Sequence, residues 1–234
     1  MAERDSPGGL MLRAWRHPVA RGATGRCIGQ TDLPVCRRKA KRLAHRMRKD
    51  ARRLGLTKAG ARPVVRTSPL TRCLAVGKWL RRWGWRMQVD ADLMEMDFGR
   101  WDGQPWSAIS QDAVDAWCAD FADHAPGDGE SLRRFLARAA CAWRRGASAA
   151  MDLPGGARVV IVVAHGGWIN VMRWSGRPDT TWSEGAPVPP AQPAAWPAAP
   201  PHGALTVLSL SPLWPLTPCG GAGSLANSLA ASSP

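Results

Sequence analysis

The sequence predicts an α/β protein in which helices flank a mainly parallel central sheet, giving a three-layer sandwich. Two observations predict this class. Short segments with strand character alternate along the chain with longer segments of helical periodicity. In addition, the segment 159–164 (VVIVVA) is apolar on both faces, as a central strand of a parallel sheet should be. With 234 residues, of which 45% are hydrophobic, the chain is long enough for one buried core and short for two.

The first half of the chain is predicted to contain three strands and two helices. Apolar residues recur at helical spacing in the basic segment RRKAKRLAHRMRKDARRLG, which Gly55 closes in the C-cap position. Ser68-Pro69 is a helix start, with serine predicted at the N-cap and proline at the first helical position. The predicted elements are a strand at 10–15, the basic helix at 37–54, a strand at 63–67, a helix from 69 to about 83 and a weak strand at 86–89.

The second half contains the clearest strand and the least regular segment. The predicted elements are helices at 104–121 and 130–145, the strand at 159–164, a short helix from about 168, an extended Pro/Ala-rich loop and a last strand at 204–210. The predicted organisation is a core at 1–176, the Pro/Ala-rich loop at 177–202, the final core strand at 203–214 and a tail without fixed structure at 215–234.

The net charge of +14 is sharply segregated along the chain. Residues 36–86 hold 18 Lys or Arg against one acid, whereas residues 89–130 hold 11 acids against one base. We interpret the basic part as a solvated helix face in a chain rich in residues with GC-rich codons. No nucleic-acid partner is therefore expected, although the basic half could steer an anionic substrate.

The chain is predicted to be cytoplasmic. Its N-terminus lacks the apolar region of a secretory signal, and its longest clean apolar run is far too short to span a bilayer, so no membrane association is expected. The six cysteines are scattered without a CxxC pair, which argues against a zinc site and a disulfide framework and suits reduced thiols. The spacing of His, Cys and Asp suggests no metal, and no cofactor is expected.

Polar residues follow three of the predicted strands. Arg16 and His17 follow the first, the segment 68–72 follows the second, and His165 follows the strand at 159–164. Ligands bind at the carboxyl ends of the strands in open parallel sheets. Guanidinium groups match phosphate oxygens, and Arg72 lies in the first turn of a helix, where backbone N–H groups also favour anions. These residues indicate a site for a phosphoryl group.

Five segments in order resemble the motifs of the histidine phosphatase (phosphoglycerate mutase-like) superfamily. They are Arg16-His17 with the loop ending in GQTDLP, SPLTR at 68–72, LMEMDFG at 93–99, the Gly-Glu-Ser region at 127–131 and AHGG at 164–167. Together they span residues 10–174. Five motifs in the family order are far more specific than any one of them.

This resemblance implies a role for each matching residue. His17 would be the nucleophile that accepts the phosphoryl group, while Arg16, Arg72 and His165 would bind its oxygens and stabilise the developing charge. His165 is also counted among the catalytic residues. Glu95 would protonate the leaving alkoxide and later deprotonate water. No metal is required.

Within the superfamily, the segments RHPV, CIGQTDLP and EMDFGRWDGQPW look most like α-ribazole phosphatases, which remove the 5′-phosphate of α-ribazole phosphate in cobalamin biosynthesis. The chain also departs from the usual pattern. Pro18 replaces the glycine after Arg-His, one extra residue lies in the Gly-Glu-Ser region, and Asn170 stands where an arginine is common. These departures concern substrate identity more than the chemistry.

Two other functional hypotheses remain open. One is a phosphoglycerate mutase or broad-specificity histidine phosphatase with the same mechanism, and the other is a catalytically degenerate basic binding protein. The sequence does not determine the oligomeric state. Glu130 is interpreted as a cap at a helix start, and Trp101 and Trp106 as residues that could stack on a benzimidazole-like ring. The remaining histidines are interpreted as surface residues: His45, His124 and His202.

Overall fold

Five strands form one sheet in the order β3-β2-β4-β1-β7, with β7 antiparallel to β1 and the other pairs parallel. The computed structural model describes residues 9–57, 62–152 and 158–210. The strands are β1 (Leu10–Arg16), β2 (Val64–Thr67), β3 (Arg86–Val89), β4 (Val159–Ala164), the short ribbon strands β5 (Trp182–Ser183) and β6 (Ala186–Pro187), and β7 (Leu205–Leu210). The helices are α1 (Arg37–Arg53), α2 (Thr71–Arg82), α3 (Gln111–Ala119), α4 (Leu132–Met151) and α5 (Gly166–Ser175).

The sheet separates two apolar clusters, because successive strand residues point to opposite faces. In β4, Val160 and Val162 join the cluster formed with α4 and α5, whereas Ile161 and Val163 join the cluster formed with α1 and α2. Both faces are thus covered by helices. The predicted fold class, α/β with a mainly parallel sheet between helical layers, is confirmed.

The basic helix α1 places its apolar stripe on the sheet, with five buried residues at helical spacing. Asp50, the one acid among residues 36–86, accepts hydrogen bonds from Arg13 Nε and Nη2 at 2.6 and 2.5 Å. Arg13 lies on β1 and is 8% exposed, so this ion pair ties α1 to the sheet and compensates a buried charge.

Helix α2 begins later than the sequence predicted. Its N-cap is Leu70, and the first-turn donors of Thr71, its backbone N and Oγ1, bind the Asp32 carboxylate at 2.6 and 2.7 Å. The predicted capping residue, Ser68, lies two residues before the N-cap, where its hydroxyl accepts from Leu70 N at 3.3 Å and contacts His165 Nε2 at 2.8 Å. An acid from a distant loop thus takes part of the capping role.

Two other helices differ in length from their predictions. The predicted helix at 104–121 is shorter, because Trp106–Ala108 forms a separate 3-10 turn and Ser110 caps α3 through its hydroxyl. Helix α4 continues six residues beyond the predicted end, to Met151. The segment 177–202 contains the β5–β6 ribbon and a 3-10 turn at Pro193–Ala195. The predicted tail at 215–234 lies outside the described residues.

Among the residues that the structure describes, four cysteines carry free thiols: Cys27, Cys36, Cys73 and Cys118. Cys141 is disulfide-bonded, so the expectation of reduced thiols is wrong at that position. Within the described ranges, no helix combines the length and the apolar character needed to cross a bilayer.

Candidate active site

The sheet order brings three polar strand ends side by side. Strand β4 lies between β2 and β1, so His165 at the end of β4 neighbours both Ser68 after β2 and His17 after β1. Backbone bonds continue the ladder past the strands, from His17 N to Ala164 O at 3.1 Å and from Ser68 N to Val163 O at 3.3 Å. The carboxyl edge of the sheet therefore holds the residues that the sequence singled out.

His17 is held in one tautomer by its own neighbour. Its Nδ1 lies 2.7 Å from the carbonyl oxygen of Pro18, and a carbonyl can only accept, so Nδ1 carries the proton. The lone pair is then on Nε2. Burial lowers the pKa of His17 well below 6.5, partly opposed by the Pro18 bond and reinforced by the nearby charge of Arg72. The imidazole is neutral at physiological pH, as a nucleophile must be.

His165 is oriented by two partners and lies close to His17. Its Nδ1 accepts from Arg72 Nε at 3.2 Å, which leaves the proton on Nε2, 2.8 Å from Ser68 Oγ. The ring centroids of His165 and His17 are 5.0 Å apart. Burial lowers the pKa of His165 well below 6.5, and the nearby charge of Arg72 acts in the same direction.

Arg72 is fully buried and bridges the second strand end to the loop after β1. Its Nη1 donates to Thr31 O at 2.7 Å and its Nη2 to Gly29 O at 2.5 Å. The Asp102 carboxylate holds this loop in turn, accepting from the backbone N of Gly29 at 3.0 Å, of Thr31 at 3.2 Å and of Gln30. Sequence reasoning did not single out Asp102, although it lies in the quoted EMDFGRWDG segment.

Arg16 offers a buried donor without a partner. Its Nη1 donates to Pro200 O at 2.6 Å, but its Nε is buried and makes no hydrogen bond in the described structure. A buried guanidinium N–H left unpaired costs about 1–3 kcal/mol. An anion bound beside His17 would satisfy it with a charge-assisted hydrogen bond.

Glu95 lies at the N-terminus of α5, next to the second histidine motif. Its Oε2 accepts from Gly167 N at 3.0 Å and its Oε1 from Met96 N at 3.2 Å. Burial raises the pKa of Glu95 against these two hydrogen bonds and the nearby charge of Arg72. A β-carbon at position 167 would collide with Glu95 Oε1, so the glycine makes room for the carboxyl group. A raised pKa suits a carboxylic acid that must deliver a proton.

The segment carrying Glu95 is anchored to α4 by Arg138. This guanidinium donates to the carbonyl oxygens of Asp92, Met94 and Glu95 at 3.2, 2.9 and 2.7 Å. It also pairs with Glu130 at 2.5 Å, and Glu130 accepts from Asp97 N at 2.9 Å. Glu130 was interpreted as a helix cap, but Ser131 caps α4. Glu130 instead fixes the backbone on both sides of the acid motif.

Of the three histidines interpreted as surface residues, one adjoins the site. His45 is exposed on α1 and packs on Trp83 with centroids 4.4 Å apart. His202 is also exposed, but its ring centroid is 5.1 Å from that of His17. No sequence signal indicated this contact, because 185 residues separate the two and the pairing of β7 with β1 brings them together.

Two further expectations concern aromatic stacking and metals. Trp101 packs edge-on against Trp117 with centroids 5.9 Å apart, and Trp106 is 44% exposed; stacking on a substrate ring stays a prediction. Across the described ranges, no group of three or more His, Cys, Asp or Glu residues is arranged to hold a metal ion.

Comparisons with solved structures agree with this architecture. The mycobacterial glucosyl-3-phosphoglycerate phosphatase solved with VO3 is 26% identical, with a TM-score of 0.65 over 86% of this chain and 92% of that one. Bacillus stearothermophilus YhfR is 21% identical, with a TM-score of 0.62 over 84% and 89%. The α-ribazole phosphatase from Shigella flexneri is 22% identical, with a TM-score of 0.55 over 72% and 81%.

No curated protein sequence matches the chain. The family model described as histidine phosphatase superfamily (branch 1) matches residues 13–194, which is most of the chain. The fold, the convergence of two histidines and two arginines at the sheet edge, and this match agree. The chain belongs to branch 1 of the histidine phosphatase superfamily and is a phosphatase of that family.

Proposed function

We propose that the protein hydrolyses a phosphate monoester through a phosphohistidine on His17. The observation that carries this proposal is the Nδ1 bond of His17 to Pro18 O, which leaves a lone pair on Nε2, while the adjacent residue Arg16 has a buried Nε–H without a partner in the described structure. A neutral nucleophile and an anion-binding guanidinium are thereby prepared in one buried place.

The reaction has two balanced steps. In the first, Nε2 of His17 attacks phosphorus in line, the ester P–O bond breaks, and Glu95 gives its proton to the leaving oxygen. In the second, Glu95 takes a proton from water as the water oxygen attacks phosphorus, and the P–N bond breaks to release phosphate. Arg16, Arg72 and His165 stabilise the charge on the transferring group, and binding it requires Arg72 and His165 to share or exchange some of their present hydrogen bonds.

For the substrate we propose α-ribazole 5′-phosphate, with a place in cobalamin biosynthesis. The support is the sequence resemblance of three segments, RHPV, CIGQTDLP and EMDFGRWDGQPW, to α-ribazole phosphatases. The similarity to the Shigella flexneri enzyme, at 22% identity, supports the fold alone.

A second candidate substrate is a phosphoglycerate carrying a sugar. The observation that favours it is the match to the glucosyl-3-phosphoglycerate phosphatase, which covers more of the chain at a higher identity than the match to the α-ribazole phosphatase. Both candidates are sugar-containing phosphate monoesters, and both would be hydrolysed by the same two-step reaction.

Labelling of the phosphoenzyme tests the mechanism. The protein is incubated with labelled p-nitrophenyl phosphate and quenched in alkali, and we expect base-stable, acid-labile label on His17 and none in His17→Ala. Absence of label from the wild-type protein, together with absence of phosphate release, would overturn the proposed function. Steeply salt-dependent DNA binding in that case would favour the degenerate basic binding protein.

Steady-state assays then rank the substrates. α-Ribazole phosphate, glucosyl-3-phosphoglycerate and the two phosphoglycerates are compared by kcat/KM. Preference for α-ribazole phosphate by about tenfold or more would support the first candidate. Transfer between 2- and 3-phosphoglycerate without release of phosphate would identify a mutase, and similar values on all four would identify a broad-specificity phosphatase.

A further inference from the structure

The end of the Pro/Ala-rich loop runs, together with Gly203, beside the active site as residues 197–203 and is fixed there by side chains of the core. Its carbonyl groups accept hydrogen bonds from Asn170 at Pro197 O (2.6 Å), from Arg173 at Ala198 O (2.8 Å) and from Arg16 at Pro200 O (2.6 Å). Proline has no N–H, so these carbonyls need donors from outside the loop. Residues 197–203 therefore form a fixed wall next to the proposed phosphoryl site.

His202 is the polar side chain of this wall that faces the nucleophile. Its ring centroid lies 5.1 Å from that of His17, and its Nδ1 is 3.2 Å from the carbonyl oxygen of His17. The backbone beside it is fixed as well, because Gly203 N donates to Arg16 O at 3.0 Å. The position of His202 is thus fixed by the backbone carbonyl groups of Arg16 and His17.

The bond to His17 O determines what the other ring nitrogen can do. Because a carbonyl only accepts, Nδ1 of His202 carries the proton, and in the neutral ring Nε2 is an acceptor. The residue is exposed, and no protein group in the described ranges hydrogen-bonds to Nε2. Burial of part of the ring and the charge of Arg16 lower the pKa of His202, so the neutral form is favoured at physiological pH.

We propose that His202 is a specificity-determining residue whose Nε2 accepts a hydrogen bond from a hydroxyl group on the leaving alcohol. The preferred substrates are then phosphate monoesters of sugars or other polyols, and simple alkyl or aryl phosphates are poorer. This inference rests on the proposed function. In-line attack places the leaving oxygen on the side of phosphorus away from His17 Nε2, so it is a further hydroxyl group of the alcohol that reaches His202. In this proposal His202 contacts the alcohol part of the substrate, whereas the arginines contact the phosphoryl group.

Glycerol 3-phosphate and propyl phosphate form a matched pair for the test, because they share a carbon skeleton and differ in the hydroxyl groups. His202→Phe keeps a ring of similar shape and removes both nitrogens. We expect this variant to lower kcat/KM for glycerol 3-phosphate by about 3- to 10-fold, the loss of one hydrogen bond, and to change that for propyl phosphate by less than about twofold. His202→Gln, which keeps an acceptor, should recover part of the loss.

His45→Phe is the control, because this histidine is exposed on α1 and should leave both values unchanged. Thermal unfolding of each variant separates a folding defect from a change in specificity. Equal loss on both substrates would overturn the inference and indicate that His202 only supports the backbone of His17. A loss confined to phosphoglycerates that grows towards low pH would also overturn it, because it would show that His202 binds a carboxylate as a cation.

The wild-type activity on p-nitrophenyl phosphate separates this inference from the proposed function. If the wild-type protein neither forms a phosphohistidine nor releases phosphate, the proposed function itself fails. If it does both and His202→Phe does not alter the ratio of the two kcat/KM values, only the role of His202 is wrong.

Discussion

At the scale of single residues, the hydrogen bonds of three histidines at the sheet edge determine which ring nitrogen carries the proton. In His17 and His202 a backbone carbonyl holds the proton on Nδ1, which leaves Nε2 unprotonated in the neutral ring. In His165 the arrangement is reversed, because Arg72 donates to Nδ1. The ring centroids of His165 and His202 lie 5.0 and 5.1 Å from that of His17, and burial lowers the pKa of both His17 and His165 well below 6.5.

Because the pKa of His17 is lowered, its phosphorylation should remain fast at a pH below that at which a free imidazole becomes protonated. The free imidazole group titrates near 6.5, and burial moves the pKa of His17 well below that value, so its reactive neutral form persists as the pH falls through 6.5. The single-turnover rate at saturating p-nitrophenyl phosphate should therefore stay constant from pH 8 to below 6.5. A midpoint at or above 6.5 would contradict the assignment.

The raised pKa of Glu95 predicts that its loss affects the two steps differently. p-Nitrophenolate leaves without protonation, so Glu95→Gln should still transfer the phosphoryl group to His17. Hydrolysis of the phosphohistidine needs the base and should slow by about 10²- to 10⁴-fold. Stopped-flow measurement should then show a burst of about one nitrophenolate per enzyme, followed by slow turnover.

An alkyl phosphate is the control for that experiment. Its alkoxide needs a proton to leave, so Glu95→Gln should abolish the fast phosphorylation step as well. Equal slowing of phosphorylation for the nitrophenyl and alkyl esters would argue against an acid role.

At the scale of elements, α4 carries two ion pairs of different character within two turns. The Arg138–Glu130 pair is largely buried, with side chains 19% and 13% exposed, and it holds the segment with Glu95. The Arg133–Asp123 pair is about half exposed and touches neither the acid motif nor the sheet edge. Helix α4 thus carries one ion pair that holds the segment with Glu95 and a second, remote ion pair that serves as a control in mutagenesis.

Arg138→Lys should lower kcat while leaving KM nearly unchanged. Lysine keeps the charge but loses the planar group that reaches three carbonyl oxygens and Glu130 together, so Glu95 should lose its fixed position. Arg133→Lys should change neither kcat nor the free energy of unfolding by more than about 0.5 kcal/mol. Kinetics on an alkyl phosphate and thermal unfolding check both. A fall in unfolding free energy for Arg138→Lys with kcat unchanged would reduce this pair to a structural role.

At the scale of the whole molecule, the basic residues of α1 and α2 are concentrated on one side of the sheet. The helices α1 and α2 cover one face with exposed basic residues, and Trp79 packs among Arg37, Lys41 and Arg82 at 5.0–5.3 Å from its ring. Stacking on tryptophan gives these cations partners within the helix pair. The net charge of +14 should act mainly through the long-range field, which attracts an anionic substrate.

This electrostatic field predicts that added salt lowers kcat/KM but not kcat. Raising the ionic strength from about 0.02 to 0.5 M shortens the screening length several-fold and should lower kcat/KM for a phosphate dianion by a few-fold, with kcat unchanged. Loss of kcat over the same range would indicate salt damage to the site instead. Retention on DNA at about 0.15 M salt would contradict the expectation that the basic face has no nucleic-acid partner.

The sequence by itself determined the fold class and the identity of the residues at the sheet edge. Apolar periodicity is a local property, so the strand at 159–164 and the stripe of α1 could be read directly. Motifs at strand ends likewise placed Arg16, His17 and His165 together, because parallel strands end at one edge. The exact start of α2 was not predicted: Ser68 was expected as its N-cap, but the helix begins at Thr71 and the Ser68 hydroxyl contacts both Leu70 N and His165.

Only the tertiary structure decided which partner each of these residues has. The order β3-β2-β4-β1-β7 depends on contacts between distant segments, and periodicity carries no information about them. That order brings His202 against His17, Asp32 to the start of α2 and Arg138 to the backbone at Glu95. Burial of the histidines and of Glu95, and contacts such as that of Arg72 with His165, depend on the assembled sheet, and burial is the main cause of the pKa shifts on which the chemistry depends.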